Sequence, residues 1–183
     1  MRFHQASFRC LCHASERPGR VRRALAFAMG LVPEVDAGPA EGEVGPEEPA
    51  GHRAAGGGPE VDAGEDAVME VLDARGYREE RTVGQYRNTI IIMTATLKRA
   101  GDIRAFWESF RTRDPGGIAR LAGQLEERLD DELVLHLRFA KQDAYLGRLR
   151  LSSGSDTVAV RLKPRVYTGG REAALASLGA FLE

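Results

Sequence analysis

The stretch Leu133-Val-Leu-His-Leu-Arg-Phe139 decides the fold. Leu133, Leu135, Leu137 and Phe139 fall on one side of an extended chain, and Val134, His136 and Arg138 fall on the other. That period-two pattern belongs to a strand with one buried face and one wet face. Downstream, Tyr145 to Leu151 and Thr157 to Tyr167 read as two further strands, separated by the turn Ser152-Ser-Gly-Ser-Asp156. Strands that follow one another without a helix between them pair as antiparallel hairpins. The expected class is therefore α+β, a two-layer sandwich of mostly antiparallel sheet covered by helices, and not a doubly wound parallel sheet.

The upstream elements fit that class. Thr89, Ile90, Ile91, Ile92, Thr94 and Thr96 make a β-branched strand, apolar on both faces at its start and hence central. Gly101 and Asp102 open a helix whose stripe is Ile103, Phe106, Trp107 and Phe110; Pro115 and Gly116 break it, and Ile118, Leu121, Leu125 and Leu129 outline a second. Near the start, Phe3 to His13 alternates with Phe8, Cys10 and Cys12 on one face. Ser15 is the expected cap of a helix carrying Val21, Leu25, Ala28 and Met29. Residues 67–77 fit either a strand or a short helix by period and are read as a strand ending at Gly76, and Gly170 begins a last helix with Leu175, Leu178 and Phe181 or Leu182 inward.

The 183 residues carry a formal charge of −1, and that average hides a division. Residues 33–66 hold ten acids and one base, a net −9, together with five prolines, eight glycines and only three valines as sizeable apolar residues. Such a segment cannot bury enough surface to offset its ordering entropy, so it is expected to be a disordered loop, within which Pro-Glu-Val-Asp-Ala-Gly occurs at 33–38 and again at 59–64. The remaining 149 residues carry 25 bases and 17 acids, a net +8. The expected organisation is one domain: a first βα unit over 1–32, an acidic insertion over 33–66, and the remainder over 67–183. Only three of the 26 bases are lysines, so the excess is guanidinium, which matches phosphate bidentately. A GC-rich genome also writes arginine for lysine, which leaves the +8 as the stronger observation.

Cys10 and Cys12 are too few for a disulfide framework and, with His4 and His13, lack a second ligand pair for a closed zinc site. No metal and no cofactor is expected. The apolar run Ala24 to Val32 is nine residues, far short of the about 20 needed for a span, so no membrane partner is expected and the protein reads as cytoplasmic. Nucleophile elbow, phosphate loop and dinucleotide fingerprint are all missing. Glu126, Glu127, Asp130, Asp131 and Glu132 sit among leucines at a helix end and read as a solvated face. The chain is not expected to be an enzyme.

The basic residues carry the functional reading. Arg138, Lys141, Arg148 and Arg150 lie in one segment, and Arg161, Lys163 and Arg165 alternate so that all three project from one sheet face. With Tyr145 and Tyr167 near the strand ends, such a surface suits sequence-tolerant RNA binding. The same alternation also describes the plain solvent face of an antiparallel strand.

The stretches Tyr86-Arg-Asn-Thr-Ile-Ile-Ile, Asp102-Ile-Arg-Ala-Phe-Trp-Glu, Leu135-His-Leu-Arg-Phe-Ala-Lys-Gln-Asp-Ala-Tyr-Leu-Gly and Arg171-Glu-Ala-Ala-Leu resemble the archaeal RNA-binding protein family, formerly a domain of unknown function and described as a predicted exosome subunit. The resemblance covers nearly the whole chain outside 33–66. Its most specific part is Arg138, Phe139, Lys141, Gln142, Tyr145, Leu146 and Gly147. It implies a ribosomal protein L5-like sandwich and RNA contact by Lys141, Gln142 and Tyr145, and more loosely by Arg87 and Asn88. The family carries Gly-Asn-Pro where this chain has Arg87-Asn88-Thr89. The implied partners are structured or ribosomal RNA and an RNA-processing complex. A rival expectation is a protein–protein adaptor that docks on such a complex through the acidic loop.

Overall fold

A computed structural model describes residues 3–32, 63–165 and 169–183. Five strands, β1 (Phe3–Cys12), β2 (Arg78–Val83), β3 (Thr89–Leu97), β4 (Leu135–Ala140) and β5 (Thr157–Pro164), form one antiparallel sheet in the order β2-β3-β1-β5-β4. The first strand is thus the central one. The helices are α1 (Pro18–Ala28), α2 (Ala63–Asp73), α3 (Ala100–Arg113), α4 (Pro115–Ala122), α5 (Leu125–Arg128), α6 (Lys141–Tyr145) and α7 (Gly170–Leu182). The class is the expected α+β.

The core lies between one sheet face and the helices. Phe8, Cys10 and Cys12 from β1, Met93, Ala95 and Leu97 from β3, and Val158, Val160 and Leu162 from β5 are buried on it, as are Leu135, Leu137 and Phe139. The α3 stripe meets them as a chain of edge-on rings: Phe106 lies 5.3 Å from Phe8, and Phe110 lies 5.0 Å from Phe139. Edge-to-face contact of this kind adds about 0.5–1.5 kcal/mol per pair beyond burial. Pro115 ends α3 and starts α4, whose N-cap Asp114 accepts a hydrogen bond from the Gly117 amide at 2.8 Å.

Several local expectations are corrected. Residues 67–77 are not a strand: they continue α2, which opens at Ala63, inside the segment read as loop; the rest of that loop, 33–62, lies outside the described residues. Val68 and Leu72 face inward at i, i+4 spacing, and Glu65 and Asp66 favour the helix start by their charge. Gly76 is the helix stop. At φ 66° it lets the Tyr77 amide bond the Leu72 carbonyl at 3.3 Å and its own amide bond the Asp73 carbonyl at 3.1 Å, a Schellman closure. β2, Arg-Glu-Glu-Arg-Thr-Val, was not expected, because an edge strand exposed along its length has no apolar alternation. Glu79 pins it to α1, accepting from Arg22 Nε at 2.7 Å and from the Tyr77 hydroxyl at 2.5 Å.

Tyr145 to Leu151 is likewise not a strand. It is the end of α6 followed by an extended segment that touches β4 through the bridge Phe139–Leu151. Gly147, at φ 78°, closes α6 as Gly76 closes α2: the Arg148 amide bonds the Asp143 carbonyl at 2.9 Å. Ser15 is not the cap of α1; Arg17 is, with Pro18 at the first helical position. Val134, expected outward, is buried, and β5 ends at Pro164, which leaves Tyr167 outside the described residues. Among the described residues no helix is long and apolar enough to cross a membrane.

Candidate nucleic-acid interface

Side chains alternate along each strand, apart from a register shift between Phe3 and Gln5 in β1, so the face opposite the core is set by register. It consists of Arg78, Glu80 and Thr82 on β2; Ile90, Ile92, Thr94 and Thr96 on β3; Gln5, Ser7, Arg9 and Leu11 on β1; Thr157, Ala159, Arg161 and Lys163 on β5; and His136, Arg138 and Ala140 on β4. Every one of these is exposed or half-exposed, so among the described residues this face is uncovered.

Charge on the face is one-sided. Registers Arg78↔Thr94↔Arg9↔Ala159↔Arg138 form a row across all five strands with arginine on alternate ones, and the next row is Thr96↔Ser7↔Arg161↔His136. Strands stand about 4.8 Å apart, so the arginines of the first row are separated by about 10 Å. Lys163 follows opposite Gln5. The face thus holds Arg9, Arg78, Arg138, Arg161 and Lys163 against one carboxylate, Glu80, and none of the five cations forms an ion pair among the described residues. Nearby, Asp130 accepts from His136 at 2.7 Å and from the Val134 amide at 2.8 Å, and these bonds hold its carboxyl below the usual range.

The sequence-derived residues divide. Arg138, Arg161 and Lys163 share the open face, and Arg165 is exposed immediately beyond β5. Arg150 borders the face: the Ala140 amide bonds its carbonyl at 3.0 Å, and its guanidinium approaches Asp143 at 3.9 Å. Arg148 is exposed on the same segment. Arg87 and Asn88 lie elsewhere, in the β2–β3 hairpin loop closed by Gly84 N to Asn88 O at 2.8 Å. Arg87 takes φ 57°, a left-handed conformation in which a side chain costs about 1–2 kcal/mol. Beside it Tyr86 is 88% exposed, an aromatic at a hairpin tip that the reading of strands did not single out.

The α6 residues behave differently from the face. Gln142 is exposed. Tyr145 is half-buried, with the Arg20 guanidinium 5.3 Å from its ring centroid. Lys141 is 4% exposed. Its ammonium donates to the Leu11 carbonyl at 2.8 Å and contacts Glu16 at 2.7 Å and Asp156 at 2.5 Å. Lys141, named above for RNA contact, is thus buried and ion-paired in this fold. Burial pulls its pKa down, but the two carboxylates outweigh that and hold it above 10.5.

The same ammonium bears on metal binding. His13, Glu16 and Asp156 bring three ligand atoms within 4.8 Å of one another, yet Lys141 already supplies the positive charge between the two carboxylates. Cys10 and Cys12 point into the core, and burial pushes the Cys10 thiol up to about 12, leaving it protonated and unreactive.

Comparison with known proteins places this geometry. A model of a protein family described as RNA binding matches residues 65–164, the span from α2 to the end of β5. The RNA-binding protein PAB1135 of Pyrococcus abyssi is 28% identical over 185 aligned positions, covering 98% of this chain and 94% of that one. Mth689, a DUF54 protein from Methanothermobacter thermautotrophicus, superposes with a TM-score of 0.66 at 20% identity over the full length of both chains. AF2318 from Archaeglobus fulgidus does so with 0.63 at 18%, again over both full lengths.

Proposed function

The chain belongs to the RNA-binding family matched over residues 65–164, and from that membership we propose that it binds structured RNA through the open face of its sheet, without catalysis. The observation that carries this reading is the set Arg9, Arg78, Arg138, Arg161 and Lys163, five cations on one uncovered face with no carboxylate partner among the described residues. Nature of the ligand follows from what the face lacks. No phenylalanine, tyrosine or tryptophan stands among its strand residues, and the one imidazole, His136, is tied to Asp130, so bases have little to stack on, whereas guanidinium groups suit the phosphates and 2′-hydroxyls of a folded RNA. Arg148, Arg150 and Arg165 extend the footprint at its borders, and the hairpin tip with Tyr86, Arg87 and Asn88 forms a separate arm at the β2 edge. Residues 1–32 and 63–183 act as one binding domain, with 33–62 as an acidic insertion. Ribosomal RNA or the substrate of an RNA-processing complex in the cytoplasm is the setting such recognition of shape would suit.

Titration with an RNA hairpin and an unstructured RNA of equal length at several salt concentrations tests this. The hairpin should bind more tightly, and affinity should fall with salt by about 0.7–0.9 log units per decade for each phosphate contacted. Binding that is absent, or insensitive to salt, would refute it.

A further inference from the structure

One cavity outside the open face has both an apolar floor and a charged rim. It has a volume of about 450 Å³ and lies between the start of β1, the side of α3 from Ala100 to Arg111 and the end of α7. That volume is in the range of small-ligand sites, about 300–1,000 Å³. Phe3, Trp107 and Phe181 form its aromatic side: the Phe3 and Trp107 rings stack at 5.6 Å, and Phe181 meets Trp107 edge-on at 5.1 Å. Arg111 braces this cluster, with its guanidinium 5.1 Å from the Phe181 ring centroid and a hydrogen bond to the Phe181 carbonyl.

The rim is cationic. Lys98, Arg104 and Arg165 are exposed there and have no ion-pair partner among the described residues, against one carboxylate, Glu108. Trp107 is 3% exposed, and its buried indole N–H has no hydrogen-bond partner among the described residues, a state that few native donors tolerate. The cavity also adjoins the open face: Phe3 pairs with Pro164, between Lys163 on the face and Arg165 on the rim.

We propose that this cavity binds one nucleotide, its base against the aromatic side and its phosphate on Lys98, Arg104 and Arg165. Aromatic surface rimmed by cations is the chemistry that holds an unstacked base and its phosphate. The nucleotide is the unpaired end of an RNA whose folded part lies on the sheet. The identification of that RNA rests on the function proposed above; the affinity of the cavity for a nucleotide does not.

Trp107 is the only tryptophan in the chain, so its fluorescence reports the cavity directly. The full chain is titrated with adenosine and uridine 5′-monophosphates and with inorganic phosphate, and separately with an RNA hairpin carrying a three-nucleotide overhang and with its blunt counterpart. Either nucleotide should change the emission saturably while phosphate alone does not, and the overhang should bind about 5- to 10-fold more tightly than the blunt hairpin. Arg104→Glu, an exposed helix substitution, should abolish both differences while leaving the affinity for blunt hairpin within about 2-fold to 3-fold. No saturable response to either nucleotide, or equal binding of the two hairpins, would overturn the cavity and leave RNA binding by the face standing. A nucleotide response without binding of either hairpin would instead overturn RNA binding by the face, and with it the RNA end as the ligand.

Discussion

Replacing Lys141 by methionine separates the structural part of the α6 motif from its RNA-binding part. Methionine keeps most of the aliphatic stem that packs at this site and removes only the ammonium. Loss of one partner from a fully buried pair costs about 3–5 kcal/mol, because the other charge is stranded. Here the side chains left behind, Glu16 and Asp156, are 28% and 57% exposed, so water re-solvates much of their charge. The Leu11 carbonyl also loses its bond, worth about 1 kcal/mol. We expect a net loss of about 2–3 kcal/mol, which for a chain of this size lowers Tm by about 4–12 °C.

Two measurements check the reasoning. Thermal melting at neutral pH gives the loss directly. Melting across alkaline pH gives its origin. A folded pKa raised above 10.5 contributes stability that is complete below the unfolded value and disappears as pH rises through the folded one, so wild type should lose its advantage over Lys141→Met only above about pH 10.5. The salt slope of RNA binding should be the same in both proteins. A variant that melts with wild type but binds RNA with a slope shallower by about 0.7 would show the ammonium on a phosphate, and the buried role would be wrong.

Three further outcomes follow from other sites. Removing two face cations, Arg9→Ala with Arg138→Ala, should flatten a slope of about −3.5 to about −2.1, so that raising salt from 50 to 200 mM weakens binding about 18-fold instead of about 130-fold. Arg87→Gly relieves the left-handed residue and, after the extra backbone entropy of glycine, should stabilise the fold by about 0.5–1 kcal/mol in denaturant unfolding. Asp130→Asn should remove an acid-sensitive part of stability: the depressed carboxyl stabilises the wild type above about pH 4, and that contribution vanishes as pH falls through its folded pKa, so the two proteins should converge in acid melts.

How much of this was legible depended on the range of the interactions. β1, β4 and β5 were readable because their alternation is local, β3 because its β-branched run is, and so was the stripe Ile103, Phe106, Trp107 and Phe110 of α3. The apolar run Val68 to Leu72 was too short to separate strand from helix by period, and the glycine after it ended a helix instead of a strand. Arg138, Arg161 and Lys163 could be placed on exposed faces from sequence. That Arg9 and Arg78 join them follows only from the order β2-β3-β1-β5-β4, which brings together strands from opposite ends of the chain. The buried pairing of Lys141 was illegible for the same reason, since Glu16 lies 125 positions away and nothing near either residue announces the pair.

An exposed antiparallel face needs polar residues whatever it does, so alternation alone does not argue for RNA. Composition of the face does. Solubility and resistance to edge pairing are served as well by mixed charges as by one sign, and mixed charges avoid self-repulsion. β2 shows that option, with Arg78, Glu79, Glu80 and Arg81 along one edge. Lys141, Arg22 and Arg75 show that cations elsewhere in this fold do find carboxylates. Among the described residues Arg9, Arg138, Arg161 and Lys163 do not, although asparagine or threonine at the same positions would have kept the face wet without the repulsion. Keeping four like charges together on β1, β4 and β5 costs stability that a plain solvent face has no reason to give up, and a phosphate backbone is the counter-charge that removes the cost.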